Sequence, residues 1–228
     1  MEKGKFYAVG VGPGDPELIT FKAAAVMKNC RVIAAAESGG SENIALKIAE
    51  EYTEGKEIVI CDMPMIRDEK KLNEFHEASA EKIAGELDCG KDVAFITLGD
   101  PAVYSSVMYV FKRIKERGYE TEIVPGITSF SAAAAALKTS LCERREPLHI
   151  IPASYKGEDF DNLNGTKVYM KSGKGLPELR ERIKGRGAMM VENATMKNER
   201  IYESFDDTEG TPGYFSLVIV PAESGGEE

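Results

Sequence analysis

The sequence predicts an α/β protein of two domains: an N-terminal one on a mostly parallel sheet with helices on both faces, and a C-terminal one on a smaller mixed sheet. Three observations lead there. Short β-rich runs alternate five times with segments of helical period between residues 5 and 138. A polar stretch ending in proline, SLCERREP (140–147), then interrupts the alternation. Beyond it strand-like runs crowd together, the last two with no helix between them.

Taken in order, KFYAVGV (5–11) reads as a strand ending at glycines, and ELITFKAAAVMKN (17–29) as a helix. RVIAAA (31–36) and EIVICDM (57–63) are strands around the helical SENIALKIAEEY (41–52). A long helix over 68–87 precedes DVAFITL (92–98), the clearest strand of the chain. Helix 105–118, strand TEIVP (121–125) and the small-residue helix TSFSAAAAALK (128–138) complete the array. Five strand–helix units in succession imply parallel strands covered on both faces. The junction at 140–147 divides the chain into expected domains 1–143 and 147–228. In the second, TKVYMKS, AMMVENA, RIYES and YFSLVIVP read as strands and PELRERIK as a helix.

Bulk properties narrow the function. With 228 residues, 43% of them apolar, the chain can bury a substantial core. No apolar run reaches the roughly 20 residues of a membrane span, and the first residues enter a strand pattern directly, so the expected place is the cytoplasm. Cys30, Cys61, Cys89 and Cys142 are scattered without a C-x-x-C pair, which predicts reduced thiols and no metal site. A net charge of −9 argues against nucleic acid as a partner.

The chemistry is expected in the glycine turns that end the strands, because ligands of an open parallel sheet bind beyond its carboxyl edge. Gly-Asp-Pro occurs twice there, at Gly14-Asp15-Pro16 and Gly99-Asp100-Pro101, and a third turn is Pro125-Gly126-Ile127-Thr128-Ser129. In each Gly-Asp-Pro the aspartate can cap a helix with the proline in its first turn. Asp15 fits that role at least as well as a ligand role, whereas Val103 and Tyr104 beside Asp100 favour binding. Thr128 and Ser129 face the same choice. A dinucleotide fingerprint fails, since the sixth position counted from Gly10 is Asp15, and no Gly-Lys-Ser/Thr follows for a P-loop. The turns suit a ligand with an amino-acid end, a ribose and an adenine better than a triphosphate.

VGVGPGDPELITFKA, ITLGDPAVYSSVMYVFKRI and VPGITSFSAAAAAL, in this order and spacing, resemble the tetrapyrrole methylases, and the resemblance runs from Tyr7 to about Pro221. Within that family YSSVMYVFKRI and VYMKSGKGLPELRERI are most similar to the precorrin-2 C20-methyltransferases of cobalamin synthesis. The resemblance implies two α/β domains, S-adenosylmethionine folded into the cleft between them and leaving as S-adenosylhomocysteine, and a homodimer. It implies that Gly12, Pro13 and Gly14 border the substrate. Pro13, Gly99, Asp100, Val103, Tyr104, Thr128 and Ser129 would meet the cofactor, with Ala153, Met170, Asn193 and Ala194 closing on it from the second domain.

Methyl transfer from a sulfonium needs neither a metal nor a covalent nucleophile, so catalysis is expected mainly from positioning. Asp100, Asp15 and Tyr104 are the candidates for taking the departing proton. His76, in a polar helix, reads as solvated, and His149, opening a strand, as structural. An octacarboxylate tetrapyrrole must be met by local cations; Arg67, Lys70 and Lys71 are candidates, and the pair Arg144 and Arg145 is the better one because arginine clamps a carboxylate in bidentate fashion. Competing readings are methylation of another ring carbon, of the diphthamide precursor or of ribosomal RNA. A nicotinamide-dependent oxidoreductase and a catalytically silent binding module are the readings from other classes.

Overall fold

The computed structural model describes residues 2–37, 43–152, 158–171, 175–208 and 213–222. By packing, the chain divides into two compact units, Met1–Thr128 and Ser129–Glu228. The division falls ahead of the alanine-rich helix, whereas the polar stretch 140–147 follows it.

The first unit is built on five parallel strands, β1 (Phe6–Gly10), β2 (Val32–Glu37), β3 (Glu57–Asp62), β4 (Val93–Thr97) and β5 (Thr121–Val124), in the order β3-β2-β4-β1-β5. Its helices are α1 (Phe21–Asn29), α2 (Ile44–Ile48), α3 (Glu50–Thr53), α4 (Glu69–Asp88) and α5 (Val107–Glu116). Because strand side chains alternate between faces, Phe6, Ala8, Val32, Ala34, Val93 and Phe95 fall on one side. There they meet Ala80, Ile83 and Leu87 of α4 and Val107, Val110 and Ile114 of α5. Val9, Ile33, Ala35, Ala94 and Ile96 fall on the other, against Ala23 and Met27 of α1 and Ala45 and Ile48 of α2. Apolar residues at every strand position are thus the signature of a sheet covered twice.

Two predicted helices are interrupted. Residues 17–29 form a short 3-10 helix, Pro16–Leu18, and then α1, because Thr20 turns extended (ψ 148°) and its Oγ1 accepts the Ala23 N–H at 3.1 Å, starting a new helix. Residues 43–53 split into α2 and α3 at Ala49 (φ −91°, ψ 15°). The first two residues of that prediction lie outside the described ones.

The second unit contains α6 (Ser129–Ala136), β6 (Leu148–Pro152), a 3-10 helix Glu158–Asn162, β7 (Thr166–Met170), α7 (Leu176–Ile183), β8 (Met189–Glu192), β9 (Arg200–Tyr202) and β10 (Ser216–Val220). The sheet is mixed, in the order β6-β7-β10-β8-β9, with only β6 and β7 parallel. Leu176, Leu179 and Ile183 of α7 pack on Ile151, Tyr169, Met190 and Val218, while α6 packs against β8 and β10. Beneath α7, Asp161 is buried, accepts the Tyr169 hydroxyl and pairs with Arg182 Nε at 2.7 Å. Burial and the adjoining Asp161 carboxylate push the Tyr169 hydroxyl well above its ordinary pKa.

Candidate functional site

The strand order decides where a ligand can sit. From β1 the chain leaves through α1 toward β2, on one side; from β4, the neighbour of β1, it leaves through α5 toward β5, on the other. The carboxyl ends of β1 and β4 therefore form the topological switch point of the sheet, the place where adjacent loops part and open a crevice. Both Gly-Asp-Pro turns lie there.

Three loop backbones interlock at this point. Gly99 N–H donates to Gly12 O at 2.7 Å and Gly12 N–H to Gly99 O at 3.3 Å, an isolated antiparallel bridge between the β1 and β4 loops. Gly99 is at φ +70°, a conformation open to glycine with little penalty. The β5 loop is driven in beside them. A Cβ on Gly126 would stand 2.1 Å from Gly99 O and 2.8 Å from Gly10 Cα, so only a glycine permits the approach.

Asp100 fixes the third loop. Its Oδ2 accepts the Gly126 N–H at 2.9 Å and its Oδ1 the Ala102 N–H at 2.7 Å. Of the two aspartates that could cap a helix, only Asp15 does so. Asp15 caps the Pro16–Leu18 helix, its Oδ1 accepting the Glu17 N–H at 2.9 Å, but α5 begins only at Val107 and Asp100 is not its cap. Asp100 instead shapes the turn Pro101–Tyr104 and bridges to the β5 loop. Within that turn Val103 is half-buried and Tyr104 is exposed, at φ +49°. A hydrogen bond between the Thr97 and Ser105 hydroxyls, 2.8 Å, closes it.

Gly12, Pro13, Gly14, Asp15, Gly99, Asp100, Val103, Tyr104 and Thr128 thus all belong to the loops leaving β1, β4 and β5. Ser129 opens α6. In the second unit, β6, β7 and β8 run in the same direction, so Met170, ending β7, and Asn193 and Ala194, following β8, lie at one end of that sheet. Asn193, at φ +50°, donates its N–H to Phe215 O at 3.0 Å, and Ala194 is buried. Ala153 lies outside the described residues. Arg67 is exposed on the loop after β3, and Arg144 and Arg145 are exposed on the connection between α6 and β6. Replacing both of that pair by alanine is expected to raise the Michaelis constant for a polyanionic substrate several-fold and to leave cofactor affinity unchanged, measured by steady-state kinetics and calorimetry.

One reading is corrected. His76 is not solvated; it is 7% exposed and stacked on Tyr109 of α5, ring centroids 4.5 Å apart. Burial, with the nearby Arg113, lowers its pKa, so it stays neutral at pH 7. His149 is paired through Nε2 with Asn164 O at 2.8 Å. Cys30 and Cys61 are buried free thiols, Cys30 pushed up to about 12 by burial, and Cys89 and Cys142 are exposed.

Two roles escaped the sequence. Gly126, marked there only as part of the third glycine turn, carries the interlock. Glu192, buried at the end of β8, accepts the Gly213 N–H at 2.8 Å and the Tyr202 hydroxyl at 3.1 Å, bracing the backbone just before Asn193 and Ala194. A carboxylate closing the apolar run MMV was its signal.

Comparison with known proteins identifies the family. The model of the tetrapyrrole (corrin/porphyrin) methylases matches residues 5–206. A probable cobalt-precorrin-2 C(20)-methyltransferase of Methanocaldococcus jannaschii is 37% identical, over 95% of both chains. The precorrin-2 C(20)-methyltransferase of a Sinorhizobium species is 30% identical over 96% of this chain and 95% of its own. Among solved structures, uroporphyrin-III C-methyl transferase from Thermus thermophilus, complexed with S-adenyl homocysteine, superposes with a TM-score of 0.68 at 22% identity, covering 96% of this chain and 92% of its own. A family match over most of the chain, full-length relatives and a shared fold lead to one conclusion: the chain belongs to the tetrapyrrole methylases.

Proposed function

We propose that this protein transfers a methyl group from S-adenosylmethionine to carbon 20 of precorrin-2, in its cobalt complex, during cobalamin synthesis. The likeness to C20-methyltransferases over the full length of both chains carries the reading, the relative of higher identity being named for the cobalt form. The site's chemistry fits the donor. The switch-point loops present backbone groups, small side chains and a carboxylate already held by two N–H groups, with no phosphate-binding lysine motif.

When bound, S-adenosylmethionine supplies a methyl group on a positively charged sulfur; the bond to sulfur breaks as the bond to the ring carbon forms, and S-adenosylhomocysteine remains. The protein's part is alignment. Gly99, Asp100, Val103, Tyr104, Thr128 and Ser129 are assigned to the donor, together with Pro13 and, from the second unit, Ala153, Met170, Asn193 and Ala194. Gly12, Pro13 and Gly14 are assigned to the ring. Well-aligned partners reach effective molarities on the order of 10⁵ M, enough for a carbon flanked by pyrrole nitrogens that is already enamine-like. Both oxygens of Asp100 accept backbone N–H bonds, so its first role is to hold Gly126 and the loop after it. Asp15 and Tyr104 remain the candidates to take the ring proton.

The protein is further proposed to work in the cytoplasm as a homodimer; light scattering at micromolar concentration tests the dimer, and a monomer there overturns it. Among the described residues no helix is long and apolar enough to cross a membrane. The test of function is a paired anaerobic turnover with S-adenosylmethionine and either precorrin-2 or cobalt-precorrin-2. One added methyl group on the cobalt pigment, by mass, is the expected result, with NMR placing it on the ring. No methyl on either pigment, with cofactor binding intact by calorimetry, moves the protein to another substrate of the family.

A further inference from the structure

The loop after β3 presents an apolar pair that the fold does not bury. Met65 is 71% exposed and Ile66 is 37% exposed, directly ahead of the exposed Arg67, Lys70 and Lys71. Among the described residues none of these three cations pairs with a carboxylate, whereas Lys5, Lys22, Lys91, Arg113 and Arg117 all do. The loop leaves the carboxyl end of its strand, so it lies along the same edge of the sheet as the glycine turns.

The pair is held in place. On one side Met63 is buried and its N–H donates to Glu37 O at 2.8 Å; within the loop Ile66 N–H donates to Pro64 O at 3.1 Å. On the other side Asp68 caps α4, its Oδ1 accepting the Lys70 and Lys71 N–H groups at 3.1 Å each. Exposing two large apolar side chains on a braced turn is a standing cost to the free protein, and a pre-formed surface of this kind loses little freedom on binding.

We propose that Met65 and Ile66 form an apolar platform for one face of the substrate macrocycle, with Arg67 beside them receiving its peripheral carboxylates. The inference rests on the proposed tetrapyrrole reaction and adds to it the residues that read the ring. Its ligand class follows from the arrangement: a flat conjugated ring rimmed with acids matches an apolar step flanked by cations on a protein of net charge −9. The span fits as well. β3 stands three positions from β1 in the sheet, about 14 Å at ordinary strand spacing, the scale of a four-pyrrole ring with its side chains.

The test compares the full-length wild type with Met65→Ser/Ile66→Ser and with the apolar control Met65→Leu/Ile66→Val, using cobalt-precorrin-2 as substrate. The serine pair should raise the Michaelis constant at least fivefold with cofactor affinity, melting temperature and sedimentation coefficient unchanged, and the control should restore it. Arg67→Gln should raise it further in the serine background. An unchanged Michaelis constant in an active serine variant overturns the platform while leaving the reaction standing. A smaller sedimentation coefficient with unchanged kinetics also overturns it and assigns the pair to contact with a second copy. A wild type that methylates neither pigment overturns the parent reading and this inference with it.

Discussion

Gly126→Ala should cost this protein its cofactor affinity by at least tenfold and its kcat/KM by about a hundredfold or more. The added Cβ would lie 2.1 Å from Gly99 O and 2.8 Å from Gly10 Cα, and both neighbours are backbone atoms that cannot rotate aside as a side chain end would. Relief requires the β5 loop to withdraw from the switch point by about 1 Å, and a misplacement of that size is worth about a hundredfold in a reaction that depends on alignment. The withdrawal also strains the Asp100–Gly126 hydrogen bond and forces an overpacked junction, costing about 1–3 kcal/mol. For a protein of this length that lowers the melting temperature by about 2–4 °C per kcal/mol. The contrast is Gly85→Ala, in the exposed interior of α4, where a Cβ meets nothing within 4 Å. There the change should stabilise by about 1 kcal/mol and leave turnover as it was. Isothermal calorimetry with S-adenosylhomocysteine, thermal melts and initial rates separate the two variants. Wild-type cofactor affinity in Gly126→Ala would mean that the three loops part freely and that their interlock does not organise the site.

How much of this was legible in the sequence follows from what each signal depends on. The strands of the first unit announced themselves because a sheet covered on both faces makes whole runs apolar, as in VAFIT, and this needs no knowledge of neighbours. Helix boundaries were less legible where two capping options compete: Thr20 restarts a helix inside ELITFKAAAVMKN, and only the backbone turn at Thr20 shows which wins. His76 looked solvated because its own helix is polar, yet the residue that covers it, Tyr109, is 33 positions away. The same holds for Asp100. Its local sequence allows a cap and favours binding, and the partner that makes it a latch between loops, Gly126, follows a strand that reaches the switch point only through the crossover over β1. Glycine motifs thus located the site, while the pairings that hold it together depend on long-range topology.

The second large effect belongs to Asp100. Removing its carboxylate in Asp100→Ala withdraws the acceptor from two N–H groups at once, Ala102 at 2.7 Å and Gly126 at 2.9 Å. Hydrogen bonds to a charged acceptor contribute about 1.5–3 kcal/mol each, and the half-exposed position of Asp100 puts these at the lower end. Since about 1.4 kcal/mol is a factor of ten, cofactor affinity should fall more than tenfold once Thr128 and the Pro101–Tyr104 turn lose their common anchor. Asp100→Asn separates positioning from proton transfer. An amide offers one oxygen, so whichever N–H it satisfies, its NH₂ group confronts the other donor, and a latch is damaged almost as much by asparagine as by alanine. A group whose task is to accept the ring proton would behave otherwise: asparagine would keep cofactor affinity near that of the wild type, and turnover alone would collapse, with loss of the acidic limb of the pH–rate profile. The expected outcome is the first pattern, weakened S-adenosylhomocysteine binding in both variants by calorimetry and a lowered melting temperature in both. The second pattern would return Asp100 to the proton and leave the glycine interlock to hold the β5 loop without it.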